Sequence, residues 1–381
     1  MAAFKFQKQK SDEDFFWGVK KMNESKMKNF PTEVYHKILS ADFPDFLNKY
    51  ISLPIMQRLS GVSLLCGTDW TPLFHNKYFY SRLEHSIGVA LIIWNFTHRE
   101  KQTLAGLFHD VASPAFSHVN DFRNGDALTQ ESTEYETEKM IAENQQLIDY
   151  LKADGFYAYE VNNYHLFPIA DTPIPQLCAD RLEYMYPSGA SLDGIWDLDD
   201  IKQNYEQVTV LHNEKNQVEL GFGEKDAALE YTQKFLQTSL ILQHNEDKVA
   251  MQLMADIINR ALKKKIIFEN DLYEHPESKL ISYFDCRTEN GDTDKEFSKL
   301  YKTFRSMTKI KHTKFPEKNS YCVKVDVKKR YIDPLVKIQG LEAARLSSIS
   351  SIAKEMIEDF LNYKDTAYGC IEYADSSAKI F

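Results

Sequence analysis

Cysteine is scarce in this 381-residue chain, and the little there is forms no framework. The five cysteines, at 66, 178, 286, 322 and 370, are odd in number, widely scattered and contain no CxxC. They read as buried or free thiols in a reducing compartment, which excludes a disulfide scaffold or a structural zinc knuckle. Long apolar runs are lacking too. No uninterrupted stretch could span a bilayer, and the N-terminal MAAFKFQKQKSDEDFFWG has no apolar signal region. The expectation is a soluble, cytoplasmic protein without a membrane partner. Positive charge is in deficit. A formal net charge of −10 argues against nucleic acid as an obligatory partner, because that binding depends on Lys and Arg neutralising phosphates. It leaves room for a local basic site for a small anion. The basic runs ALKKKI (261–266), KIKHTK (309–314) and KKR (328–330) read as solvated faces.

Glycine (14) and proline (12) are also few, so punctuation is sparse and long helices can form. What is present is apolar: 43% hydrophobic residues, with 24 Phe and 21 Tyr, which excludes general disorder. Apolar residues recur at three- and four-residue spacing over 83–97, 100–111, 228–243 and 248–264, and this predicts helices. Ser113-Pro114 stops the second of them. VTVLHNEKNQVELGF (208–222) predicts a short hairpin turning at 213–216. NSYCVKVDVKKRYIDPLV (319–336) places Tyr321, Val323, Val325 and Val327 on one face of a strand. The fold class expected is mainly α: a helical body over 1–270 and a smaller mixed α/β portion over 271–381.

Three segments carry the chemistry: YSRLEHSIG (80–88), GLFHDVASPAFSHVND (106–121) and QLCADRLEYMYPSG (176–189). His85 shares a helix face with Arg82 three residues earlier, and His109-Asp110 closes the next helix. Asp180 opens a third. Two imidazoles and two carboxylates are a mixed nitrogen and oxygen donor set suited to Fe, Mn, Ni, Co or Zn. His118 and Asp121, three residues apart, can work as an oriented imidazole that moves protons. Histidines without such company (98, 212, 244 and 312) read as ordinary hydrogen-bonded structural residues.

In this order the segments resemble the HD-domain phosphohydrolases, in particular the deoxynucleoside triphosphate triphosphohydrolases. LPIMQRLSG (53–61) is similar to the family's QRL helix, SRLEHSIGVALI to its arginine–histidine motif, and LAGLFHDVASPAFSH to its HD segment. ADRLEYM is similar to the segment of the last ligand, and the likeness extends to YIDPLV (331–336). The resemblance implies an HD-domain helical bundle in which His85, His109, Asp110 and Asp180 bind a divalent transition metal, with Mg a candidate second metal. It implies that His118 and Asp121 are catalytic and that Arg82, Arg181 and Tyr184 contact substrate phosphates. The substrate implied is a phosphorylated small molecule of the nucleotide class, and the assembly a homo-oligomer.

The departures from the family pattern bear on specificity. Ser113 and Gln130 stand where the family has phosphate-facing histidines, and neither carries a proton or a charge at neutral pH. Leu64-Leu65 replaces a Gln-Leu pair that contacts sugar and base. Ser188 replaces an aspartate that reads the sugar hydroxyl, and Ser52 one that reads guanine at an activator site. A metal-dependent phosphohydrolase is the leading expectation. The alternative is a metal-containing nucleotide sensor or scaffold with little turnover.

Overall fold

The computed structural model describes residues 27–130, 135–291, 294–375 and 380. The N-terminal segment read above, and Glu131 beside Gln130, lie outside the described residues. Among the described residues there are seventeen α-helices and nine short strands, and the chain is 52% helical, so the fold is mainly α with a minor α/β part. Six helices frame the site: α1 (Arg82–Thr97), α2 (Glu100–Phe108), α3 (Val119–Arg123), α4 (Ala179–Leu192), α5 (Lys225–Ile241) and α6 (Asn245–Lys263).

Local chemistry starts α1 one residue before Arg82. Ser81 Oγ accepts from the Glu84 N–H at 3.2 Å, and Glu84 Oε2 accepts from the Ser81 N–H at 2.7 Å, a reciprocal capping box. Beyond its first turn, Val89, Leu91, Ile92 and Ile93 are fully buried, so α1 is apolar nearly all round and runs through the interior. Each such side chain contributes about 1.5–3 kcal/mol. That offsets the cost of carrying Arg82 and His85 inside at the same helix's N-terminus.

The second expected helix ends at Phe108, not at 111. Val111 N–H bonds Phe108 C=O at 3.0 Å and Ser113 N–H bonds Asp110 C=O at 2.9 Å, so the chain tightens into successive three-residue turns. The Arg58 guanidinium holds this exit by donating to the carbonyls of Ser113 and Val111. In α4, Pro187 cannot donate to the carbonyl of Glu183 four residues back. The Tyr35 hydroxyl takes its place, at 3.1 Å.

The hairpin is present: Val208–His212 pairs antiparallel with Val218–Phe222, around residues 213–217. Its second strand then pairs in parallel with Leu335–Val336, which pairs with Ala344–Arg345. One sheet therefore crosses the boundary expected near residue 270. A core cluster crosses it as well, packing Val249 to Ile267 of the helical body against Phe284, Tyr301 and Val323.

The expected strand over 319–336 is mostly not a strand. Pairing covers Ser320–Val323 and resumes only at Leu335. Tyr321, Val323, Val325 and Val327 do pack into one core cluster, so the alternation was sound as a buried face. The backbone leaves the sheet after Val323 because it must pass the central cavity, where Lys328 and Arg330 form part of the wall. The reading of 328–330 as a solvated face is corrected accordingly. The thiol reading is corrected too: Cys322 and Cys370 sit opposite one another on paired strands and are joined as a disulfide, while Cys66, Cys178 and Cys286 are free. Finally, His98, His212 and His312 are exposed and His244 half-buried, so none is a core residue. Among the described residues, no helix is long and apolar enough to cross a membrane.

Candidate metal centre

Three helix ends converge on one point. α1 brings His85 in its first turn, the end of α2 brings His109 with Asp110 just after it, and the start of α4 brings Asp180. His85 Nε2 lies 3.1 Å from His109 Nε2 and 3.2 Å from Asp180 Oδ1. His109 Nε2 is 3.7 Å from Asp180 Oδ1 and 3.6 Å from Asp110 Oδ2, and His85 Nε2 is 3.7 Å from Asp110 Oδ2.

These separations test whether the residues suit a cation. Bonds of about 2.0–2.2 Å from one ion put neighbouring donors about 3.0 Å apart at right angles and about 3.4 Å apart in a tetrahedron. The observed separations, 3.1 to 3.7 Å, overlap that range and run slightly above it. The imidazoles are also set up for it. His85 Nδ1 faces Glu183 Oε2 at 2.5 Å and His109 Nδ1 faces the Gly106 carbonyl at 2.7 Å. With both Nδ1–H groups donating outward, both Nε2 lone pairs point inward at each other, which demands a positive charge between them. The residues fit a divalent metal.

The electrostatics agree. Burial opposes ionisation of Asp110 and Asp180, yet Arg82, His109 and His85 hold Asp110 well below the usual carboxylate range. The two histidines do the same for Asp180. Burial lowers His85, but Glu183 and Asp180 outweigh it and raise its pKa to about 10.

Glu183 is the site residue that sequence reading missed. It is fully buried, orients His85, and accepts the Tyr80 hydroxyl at 2.5 Å on its other oxygen. Its signal was spacing: three residues after Asp180, on a neighbouring part of the same helix surface. Gly88 carries a second signal. A Cβ there would stand 2.4 Å from Glu183 Oε1, so only glycine lets α1 pass the carboxylate.

His118 and Asp121 come together as the spacing suggested, with His118 Nδ1 at 2.9 Å from Asp121 Oδ2. Asp121 is fully buried, and His118 opens onto the same cavity as the metal-type donors. Desolvation there, with the guanidiniums of Arg82 and Arg330, holds His118 below 6.5 despite the Asp121 hydrogen bond. The loop leading to His118 places Phe116 and Ser117 at positive φ (64° and 48°), a costly conformation for such residues. The buried carboxylate of Glu277 steadies it by accepting from the N–H groups of Phe116 and Ser63 and from Trp70 Nε1.

The residues expected to meet phosphate are placed less simply. Arg82 donates from Nε to Ser117 Oγ at 2.6 Å and from Nη1 to Asp110 Oδ2 at 2.7 Å, and its Nη2 faces Cys66 Sγ. Arg181 donates to the carbonyls of Gln176 and Thr172, to Thr172 Oγ1, and faces Asp171 at 3.5 Å. Both line the cavity, but their donors are largely committed to the protein. Ser113 Oγ donates to Asp110 Oδ1 at 2.9 Å, so it braces an expected ligand. Gln130 faces the guanidinium of Arg330. Tyr184 lines the cavity, its ring near both the His85 imidazole and the Arg330 guanidinium. The cavity measures about 640 Å³, within the range of small-molecule sites. Leu64, Leu65, Leu192, Ile241 and Leu242 give it an apolar wall.

No protein-family profile matches the chain. Over 141 residues it is 30% identical to YdhJ, an uncharacterized protein of Bacillus subtilis, which is 36% of this chain and 41% of that protein. Over 132 residues it is 32% identical to a Cordyceps militaris protein named metal-dependent phosphohydrolase cns2, covering 34% of this chain and 36% of the other. The matches thus span about two fifths or less of those relatives' lengths. Among solved structures, a hypothetical protein from Aquifex aeolicus aligns with a TM-score of 0.57 at 16% identity, covering 87% of this chain and 93% of that one. A phosphohydrolase from Bacteroides thetaiotaomicron aligns with a TM-score of 0.56 at 14% identity, covering 87% and 97%. The similarity in structure is a similarity of fold.

Proposed function

We propose that this chain is an HD-type, divalent-metal-dependent phosphohydrolase acting on a phosphorylated small molecule, with nucleotides the first class to test. One observation carries the reading: a donor cluster of His85, His109 and Asp180, with Asp110 within 3.7 Å of both imidazoles, and an imidazole–carboxylate pair open on one small-molecule-sized cavity. The partial likeness to a protein named metal-dependent phosphohydrolase supports it.

A cation held by His85, His109, Asp110 and Asp180 would supply Lewis acidity and an acidified water. The remaining work falls to the chain. His118, neutral near pH 7 and anchored through Nδ1 to Asp121, keeps Nε2 for taking a proton or giving one to the leaving oxygen. Arg82 offsets the charge of Asp110 and keeps its second oxygen aligned. The apolar wall suits the organic part of a phosphate ester and helps exclude water.

One observation favours a second reading, a nucleotide-binding protein with little turnover: Arg82, Arg181 and Ser113 are engaged by protein partners. A screen of metal-loaded protein over nucleotides and sugar phosphates, resolving phosphate, pyrophosphate and triphosphate, separates the two. Release of any of these supports the enzyme; saturable nucleotide binding with no release supports the sensor.

A further inference from the structure

Arg330 differs from the other arginines of the cavity wall. Arg82 and Arg181 each hold a carboxylate or several backbone carbonyls. Arg330 donates to the neutral amide oxygen of Gln130, and among the described residues the rest of its guanidinium has no hydrogen-bond or ion-pair partner. A guanidinium carries five N–H donors, and Arg330 lines the cavity with one of them accounted for by Gln130. Asp247 lines the same wall but stands beyond ion-pair distance, so among the described residues no carboxylate neutralises Arg330 at contact.

Its position is adjacent to the chemistry. The Arg330 guanidinium carbon lies 6.0 Å from the Tyr184 ring, which also neighbours the rings of His85 and Phe235, centroids 6.5 and 6.4 Å away. Arg330 and the expected metal ligand His85 thus share Tyr184 as a neighbour and line the same cavity. His118 is within its electrostatic reach. The backbone that delivers Arg330 is the stretch that abandons the sheet after Val323 to run along the cavity. Gln130, itself at positive φ (55°), aims its carbonyl oxygen at the guanidinium.

We propose that Arg330 is a substrate-binding residue whose guanidinium takes non-bridging oxygens of the substrate's phosphoryl group, with Gln130 as its positioning residue. This rests on the phosphohydrolase reading and names the side chain that supplies the cation Arg82 and Arg181 do not have to spare. A planar fork with open donors matches a phosphate better than a point charge does.

The test uses inorganic phosphate as the probe, titrated calorimetrically into the metal-loaded full chain, so that it does not depend on turnover. Arg330→Ala is expected to weaken phosphate binding about tenfold or more, with metal content unchanged. Arg330→Lys is expected to keep part of the affinity, and Gln130→Leu to lose a smaller factor that vanishes in the Arg330→Ala background. Those two single variants carry the test if Arg330→Ala does not fold. Equal phosphate affinity in the wild type and the Arg330 variants overturns the proposal, as does wild-type protein that holds metal yet binds no phosphate. Loss of the metal reading shows separately, as wild-type protein that takes up no metal.

Discussion

His85 Nδ1 and Glu183 Oε2 lie 2.5 Å apart in a fully buried pair joining α1 to α4. The contact fixes which imidazole nitrogen faces the donor cluster. Glu183→Gln keeps the shape but removes the charge that makes His85 a strong donor. Metal retention against a chelator is expected to fall about 10- to 100-fold. Unchanged retention with an intact fold would remove Glu183 from the site.

His109→Ala and Asp110→Asn should each yield protein that folds but holds little metal. Asn is the better choice at 110, because Ala would leave Arg82 buried without its partner at a cost of about 3–5 kcal/mol. Elemental analysis decides, and full occupancy in both variants sinks the assignment of the donor set.

His118→Ala is expected to leave metal content intact and to remove phosphate release by a factor of about 10² to 10⁴. The readout is paired: turnover with a phosphomonoester and metal by elemental analysis. Metal lost with turnover would make His118 a ligand, not a proton carrier.

Substrate discrimination should be weak. Leu64 lines the cavity with no polar group, and Ser188 offers it a neutral hydroxyl where the family pattern has the carboxylate that reads a sugar hydroxyl. Comparing dGTP with GTP, with and without added GTP, is expected to show little selectivity and no activation. Strong dGTP preference, which a dedicated hydroxyl contact can raise to about 10⁴-fold, would overturn this expectation.

Stability should depend on pH through His312. Its Nδ1 is 3.0 Å from Asp365 Oδ1 and its Nε2 is 2.9 Å from Glu246 Oε1, so the imidazolium latches strand Lys311–Thr313 to the start of α6. Each ring nitrogen already faces its own carboxylate, which makes this an ion-pair bridge. Partial burial lowers the pKa, but the two carboxylates outweigh it and raise it above 6.5. A raised folded-state pKa means the stabilisation is complete below 6.5 and is lost as pH climbs through the raised value. Wild type should therefore melt above His312→Gln below pH 6.5 and converge with it once pH has climbed past the raised value. A melting difference independent of pH counts against the latch.

Much of this molecule is local and was legible in the chain. Apolar spacing set the helices over 82–97, 225–241 and 245–263 to within a few residues, and three-residue spacing put His118 beside Asp121. The same spacing logic failed where a third party intervenes. Arg58 reshapes the end of α2 by capturing two carbonyls from fifty residues away, and the cavity pulls 324–334 out of its strand. Pairing register brought Cys322 opposite Cys370, which no count of cysteines could foresee. Above all, residue type says that Arg82, Arg181 and Arg330 can bind an anion, and only packing decides which donors remain free to do so. Two have been taken by Asp110, Ser117 and the Thr172 region, and the third, from a basic run that reads in sequence as a solvated face, holds among the described residues only the neutral amide of Gln130. A periodic pattern dictates which face of an element is buried; the neighbours that meet that face are set by tertiary contacts across tens to hundreds of residues.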